Sequence, residues 1–87
     1  MTHVDIDKDL KAEIEVAAYF LSQRNYSYND LCWMLADKQF FIEKGQENYK
    51  KDEVRERAEE IFQQFYNYDN LCFLNAELEV IISRKLY

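Results

Sequence analysis

Apolar residues recur at three- and four-residue spacing along most of the chain, which is the period of an amphipathic helix. Four such stripes are present, separated by short polar stretches. The chain has one glycine and no proline, so it lacks the frequent turns of an all-β fold. The pattern predicts an all-α protein of four helices. Their stripes are Leu10, Ile14, Ala17, Ala18 and Leu21; Leu31, Met34, Leu35, Phe41 and Ile42; Val54, Ala58, Ile61, Phe62 and Phe65; and Leu71, Leu74, Leu78, Ile81 and Ile82.

Residues suited to capping mark the ends of these helices. Ser27, with Asp30 three positions later, is expected to cap the second helix, and Asn67 is expected to cap the fourth. Gly45 is expected to end the second helix in the left-handed conformation. The polar stretch 46–53 is then predicted to link the two halves of the chain.

Residues 13–42 align with residues 53–82 without a gap. The nine identical pairs are Glu13/Glu53, Ala18/Ala58, Gln23/Gln63, Tyr26/Tyr66, Tyr28/Tyr68, Leu31/Leu71, Cys32/Cys72, Ala36/Ala76 and Ile42/Ile82. Unrelated segments of this composition would match at only about two positions, and a repeat of this length is typical of helix pairs. We predict a single domain, 1–87, with one repeat unit at about 6–45 and a second at about 50–87.

The second and fourth helices carry apolar residues on two faces, which indicates that both are buried. Trp33 and Phe40 lie opposite the stripe of the second helix, and Phe73 and Val80 lie opposite that of the fourth. We predict that these two helices form the central pair, and that the stripe of the second helix packs on the first. The expected fold is two pseudo-symmetric helical hairpins packed into a small bundle, with Trp33 and Phe73 either buried between the units or exposed. The small residues expected where the central helices meet are Cys32, Ala36, Cys72 and Ala76.

The formal net charge of −6 argues against direct contact with nucleic acid or with an anionic membrane surface. No apolar run reaches the roughly eighteen residues of a membrane span, and the acidic, polar N-terminus does not resemble a signal peptide. The two cysteines are therefore expected to be reduced, buried thiols of a cytoplasmic protein. A candidate acidic surface, which is equally typical of a solvated helix face, consists of Glu53, Glu56, Glu59 and Glu60.

The sequence contains none of the arrangements that support catalysis or metal binding. His3, the only histidine, is expected in a frayed terminus. Cys32 and Cys72 have no second ligand at metal spacing, so core packing is the favoured interpretation, with a disulfide left open. Neither a Glu-x-x-His signature nor a glycine-rich phosphate loop occurs. We predict a protein that is not an enzyme and has no catalytic residues, metal or cofactor.

Aromatic residues are unusually abundant, with seven Tyr, six Phe and one Trp. One interpretation is that tyrosine rings cover the open ends of the hairpins with their hydroxyls outward. The other is a protein interface, because such residues are enriched at binding hot spots. The candidate interface residues are Tyr19, Phe20, Tyr26, Tyr28, Trp33, Phe40, Tyr49, Tyr66, Tyr68 and Phe73.

Unit one contains Ile14, Ala18, Tyr19, Leu21, Arg24, Trp33, Ala36 and Asp37, and unit two contains VRERAEEIF from Val54 to Phe62, then Phe73, Ala76 and Glu77. Both units resemble a short bacterial helical domain of unassigned activity, whose typical phrase is I-x-x-x-A-Y-x-L-W-x-x-R-G followed by D-x-x-x-W-x-x-A-E. The glycine of that phrase is replaced by Asn25 and by Phe65. The resemblance implies a helical fold and a bacterial or phage origin, but no reaction.

Three functions remain open after these exclusions. The first is a small acidic module that acts by binding a protein partner, with a homodimer as one form of it. The second is an acidic mimic of nucleic acid, of the phage type, that inhibits a basic nucleic-acid-binding protein through complementary charge. The third is a helical bundle that binds a small ligand.

Overall fold

The residues that the structure describes fold into four α-helices. A computed structural model describes the backbone of residues 2–45 and 47–87, and the side chains of residues 8–45 and 47–87. The side chains of His3 and of the acidic residues before Lys8 lie outside the described part. An all-α fold, predicted as two pseudo-symmetric hairpins in a small bundle, is confirmed. The helices are α1 (Thr2–Gln23), α2 (Tyr28–Lys44), α3 (Lys51–Phe62) and α4 (Tyr68–Ser83).

The helices pack in the order α1–α4–α2–α3, which places α2 and α4 at the centre as predicted. The prediction that α2 packs on α1 is wrong, because these two helices do not approach each other closely within the described residues. Each outer helix packs instead on the central helix of the other unit. The two hairpins are therefore α2–α3, whose helices are consecutive in the chain, and α1–α4, whose helices are not, and each of them joins the two units.

The connections within each unit explain why its own helices diverge. Asn25 after α1 and Phe65 after α3 occupy equivalent positions of the repeat, with φ of 57° and 58°. A left-handed residue ends a helix abruptly, and an extended N-cap follows within a few residues at Ser27 and Asn67. The chain therefore turns sharply away from the first helix before the second begins. Neither position has glycine, the residue best suited to positive φ.

The predicted N-caps are confirmed. Ser27 Oγ accepts a hydrogen bond from the backbone N–H of Asp30 at 3.0 Å, and Asn67 Oδ1 accepts one from the N–H of Asn70 at 2.8 Å. Each bond satisfies a backbone donor that has no partner within the first turn of a helix. The two central helices therefore begin in the same way.

The connection between the units is shorter than predicted. Gly45 ends α2 with its N–H donating to the carbonyl of Phe41 at 3.0 Å, and its φ of 91° is positive as expected, although its ψ of 158° lies outside the left-handed helical region. The third helix already begins at Lys51, because Glu53 Oε1 accepts from the N–H of Lys50 at 3.0 Å and caps it.

The contact between α2 and α4 forms the centre of the core. Leu31, Leu71, Ala36 and Ala76 are all completely buried, in two repeat-equivalent pairs. Cys32 and Cys72 are buried beside them as free thiols, so core packing is the interpretation that agrees with the structure. Small side chains allow the two helix backbones to approach closely, which is why these positions match in both units.

One buried polar pair breaks the symmetry of this contact. Asn75, completely buried, occupies the position of Leu35 in the other unit. Its Nδ2 donates to the carbonyls of Leu31 and Leu71 at 3.1 and 2.9 Å, and its Oδ1 accepts from Lys38 Nζ at 3.1 Å. Burial lowers the pKa of Lys38, an effect that the nearby carboxylates of Glu79 and Asp37 partly offset. This pair links the central helices through fully satisfied polar groups.

Candidate protein-binding surfaces

Four of the candidate interface tyrosines join the two units to each other. Tyr28 Oη donates to the carbonyl of Tyr66 at 2.5 Å, and Tyr68 Oη donates to the carbonyl of Tyr26 at 2.5 Å. The bonds are exchanged between repeat-equivalent residues, and all four side chains are half-buried. Burial raises the pKa of both donor hydroxyls. These tyrosines therefore hold the turns of the two units together.

Phe40 and Tyr49 also have structural positions. Phe40 is only 6% exposed, so it belongs to the core rather than to an accessible surface. Its ring stacks on Tyr49 with centroids 5.4 Å apart, and the guanidinium of Arg57 lies 4.0 Å from its centroid. Tyr49 Oη donates to Asp37 Oδ1 at 3.0 Å. The cluster attaches the segment before α3 to α2.

Part of the outward face of α1 is apolar. Val16, Tyr19 and Phe20 are each between 55% and 60% exposed, and they lie at the spacing of one helix face. The rings of Tyr19 and Phe20 meet edge to face with centroids 5.7 Å apart. Val16 and Phe20 also border a groove of about 480 Å³ between α1 and α4. We call Val16, Tyr19 and Phe20 the α1 face.

The repeat-equivalent residues of α3 are Glu56, Glu59 and Glu60, all exposed. None of the three takes part in an ion pair with any described residue, whereas Glu53 pairs with Lys44 at 3.4 Å. The hydrogen bond from the Lys50 backbone, aided by Lys44, holds the pKa of Glu53 below its usual range. Of the candidate acidic surface, Glu53 is therefore a helix cap, and the other three carboxylates form an exposed row.

A second apolar surface lies between α2 and α3. A groove of about 360 Å³ has Cys32 and Ala58 at its base, and Trp33 and Phe62 among its walls. Trp33 is 39% exposed and Phe62 45% exposed. Phe62 contacts Tyr28 edge to face, with centroids 5.4 Å apart. The remaining lining residues are Asn29, Arg55, Glu59 and Gln63.

Trp33 and Phe73 are equally exposed, at 39% each, so neither is buried between the units. Their surroundings differ, because Phe62 beside Trp33 corresponds to Ser22 in the other unit. Phe65 was expected on the core stripe of α3, and that expectation is wrong. It follows the end of the helix and is 83% exposed.

The cysteines offer no reactive centre. Burial raises the pKa of both thiols, which keeps them protonated and weakly nucleophilic near neutral pH. Within the described side chains, no group of three or more His, Cys, Asp or Glu residues lies close enough together to hold a metal ion. No helix of the described residues is both long and apolar enough to cross a membrane. The exposed aromatic surfaces are the features left to explain.

Comparison with known proteins gives no match to a family model, to a curated protein or to a solved structure. The function must therefore be argued from the surfaces themselves.

Sequence reasoning did not select Val16, Phe62 or Phe65 as surface residues. Phe62 and Phe65 continue an apolar stripe, so periodicity placed them in the core. A comparison of the two repeat copies would have found them, because their equivalents Ser22 and Asn25 are polar. At an exposed position, an apolar residue whose repeat partner is polar is not required by the shared fold.

Proposed function

We propose that this protein is a small acidic, non-enzymatic module that acts in the cytoplasm by binding a protein partner. The observation that carries the proposal is the contrast between the α1 face and its equivalent row on α3. Both helices occupy the same place in the fold, and α3 fills that place with Glu56, Glu59 and Glu60. Folding therefore does not require apolar residues at these positions of an outer helix.

The exposed apolar area of the α1 face needs another explanation. Contiguous exposed apolar side chains on soluble proteins usually mark an interaction site. Aromatic residues are favoured there because they bury a large area while few rotatable bonds are immobilised. The groove beside Val16 and Phe20 offers space for side chains of the partner. These features support binding of a protein rather than of a polar small molecule.

A test compares wild type with a variant that combines Val16→Gln, Tyr19→Gln and Phe20→Gln. A matched control combines Glu60→Gln, on the equivalent side of α3, with Gln64→Ala just after the end of that helix. Proteins retained from lysate by the wild type are identified, and the purified partner is titrated by calorimetry. We expect a defined stoichiometry with wild type and control, and at least about a hundredfold weaker binding by the α1-face variant.

Equal binding by all three proteins would contradict the assignment of the α1 face. Absence of any saturable protein partner would contradict the proposed function itself.

A second candidate function is mimicry of nucleic acid by the exposed carboxylates. It is supported by Glu56, Glu59 and Glu60, which have no ion-pair partner among the described residues. A mimic would bind a basic nucleic-acid-binding protein, lose affinity steeply with salt and be displaced by DNA. Binding that survives both treatments would exclude mimicry.

A further inference from the structure

We infer that the groove between α2 and α3 seats a segment of the partner protein that carries one bulky apolar side chain next to basic residues. The inference rests on the proposed function, namely that the protein binds a protein partner. It concerns a surface separate from the α1 face, on the opposite outer helix. Its basis is the shape of the groove, the carboxylates at its rim that have no ion pair among the described residues, and the phenylalanine wall that the other repeat copy lacks.

The groove has the size and lining of a site for an apolar anchor. Cys32 and Ala58 give it a smooth base, and the rings of Trp33 and Phe62 offer apolar walls. Its volume of about 360 Å³ is at the low end of the roughly 300–1,000 Å³ of small-molecule pockets. It therefore fits one or two side chains of a peptide better than a large ligand. Because burial keeps Cys32 a neutral thiol, the base of the groove carries no charge at neutral pH.

The charge at the rim selects a basic segment. Arg55 is the only cation lining the groove, and its guanidinium already pairs with Asp52 at 3.0 Å. Glu59 lines the same rim, and Glu56 lies one turn earlier on the exposed face of the helix, both without an ion pair in the described structure. The chain as a whole carries −6. A lysine or arginine beside the anchor would meet these carboxylates, which would also speed association.

The groove is not a by-product of the repeat. In the equivalent place between α4 and α1, Phe62 corresponds to Ser22, and Glu59 corresponds to Tyr19. The second copy therefore lacks the phenylalanine wall, and its carboxylates, Glu15 and Asp69, stand instead at the positions of Arg55 and Asn29. Phe65, which follows Phe62 closely in the chain, adds a further exposed ring. Its backbone φ of 58° lies in the left-handed region, which disfavours a bulky side chain. An exposed aromatic residue kept in an unfavourable conformation is typical of a functional position.

The test uses the folded protein and a library of random, tryptophan-free peptides displayed on phage. We expect the selected peptides to share a bulky apolar residue with two or more neighbouring Lys or Arg. Synthetic versions should change the fluorescence of Trp33, the only tryptophan of the chain and a wall of the groove. Affinity should fall by about tenfold or more in Phe62→Ser, and severalfold in Glu59→Gln combined with Glu56→Gln.

Three controls define the outcome. Phe73→Ala, at the equivalent wall of the other unit, should leave peptide binding unchanged. The carboxylate variants change only exposed side chains, so they report on charge even if Phe62→Ser loses stability. Peptides without a basic preference, or affinities unchanged in both groove variants, would overturn the inference. Loss of partner binding in the α1-face variant together with unaltered peptide binding to the groove would show that the two surfaces act separately.

An unchanged peptide affinity in the groove variants, with partner binding still dependent on the α1 face, would remove the groove inference and leave the proposed function standing. A partner that needs neither surface would remove the groove inference and the assignment of the α1 face, whereas the absence of any saturable partner would remove the proposed function itself.

Discussion

The two outer helices occupy the same place in the fold and present opposite surfaces to solvent. On α1, Val16, Tyr19 and Phe20 are exposed beside a groove whose lining mixes apolar side chains with charged ones, such as Glu13 and Glu79. The corresponding groove beside α3 has a volume of about 530 Å³ and an equally mixed lining, so the two surfaces differ at the exposed helix positions, where α3 has Glu56, Glu59 and Glu60. The buried residues of the two helices match, as with Ile14 and Val54, while the α1 face and its equivalents on α3 do not.

This difference separates what the fold requires from what it leaves free. Most positions buried in both copies, such as Leu31 and Leu71, keep their chemistry because the core needs their volume, and Leu35 and Asn75 are the exception. Outward positions have no such constraint, so their divergence reflects other demands. The internal repeat therefore serves as a control within one chain, because each residue can be compared with its equivalent in the other unit.

The largest effects are expected where the two units agree. Leu31→Ala and Leu71→Ala should each lower the free energy of unfolding by about 2–5 kcal/mol, because each removes a completely buried side chain and leaves a cavity. The two losses should be similar, since the residues are equivalent. Urea unfolding followed by circular dichroism measures both. A large loss for one and none for the other would show that the core is not pseudo-symmetric.

Asn75 and Lys38 are polar residues of the central helices whose repeat equivalents are leucines. Replacing both by leucine tests how strongly they are coupled. Asn75→Leu alone should destabilise by about 1–3 kcal/mol, because it leaves the partly buried ammonium of Lys38 without its partner. Leu35 is the repeat equivalent of Asn75, and Leu78 is that of Lys38. Adding Lys38→Leu therefore gives both positions the residue of their equivalents, and it should recover most of the lost free energy of unfolding. Simple addition of the two single effects would contradict this coupling.

Phe65 and Asn25 share a left-handed backbone conformation but differ in how well they tolerate it. Phe65→Gly should stabilise by up to about 1 kcal/mol, because it relieves steric strain and removes a side chain with little buried area. Asn25→Gly should change the stability less, since asparagine adopts this conformation more readily. A clear destabilisation by Phe65→Gly would mean that the phenylalanine ring supports the fold.

The cysteines predict a pH dependence that both units share. Burial raises the pKa of each thiol in the folded protein, so folding favours the protonated thiols. Their contribution to the free energy of unfolding is fully present below the ordinary cysteine pKa of about 8.5, and it is lost as pH rises through the folded-state pKa. The raised pKa of Tyr28 and Tyr68 acts in the same direction at higher pH, whereas the lowered pKa of Lys38 opposes it. The urea midpoint should therefore fall between about pH 8 and pH 9.5. A variant combining Cys32→Ala and Cys72→Ala should show a smaller fall, and an identical fall would assign it to other groups.

Much of this architecture could be predicted from the sequence because it depends on local chemistry. The repeat, the caps at Ser27 and Asn67 and the central position of α2 and α4 all follow from spacing and residue type. The exchange of outer helices could not be predicted, because an apolar stripe specifies that a face is buried but not which helix covers it. The contact between Asn75 and Lys38 was equally hidden, since it joins residues that do not correspond in the repeat.

The candidate surfaces were predicted only in part, for a related reason. Tyr19, Phe20, Trp33 and Phe73 are exposed as an interface would need, whereas Phe40 is buried. The tyrosines of the turns could not be assigned from sequence, because their role depends on carbonyl groups of the opposite unit. Phe65 was misplaced because α3 ends at Phe62, three residues before the apolar stripe ends.

The central claim is that the α1 face serves binding and not folding. Its most direct test is the free energy of unfolding of the variant that combines Val16→Gln, Tyr19→Gln and Phe20→Gln, measured by urea denaturation beside wild type. The account predicts a loss of no more than about 1–2 kcal/mol, since over half of each side chain is exposed and glutamine favours helix. A loss as large as that of Leu31→Ala would show that these residues support the fold and would contradict the account.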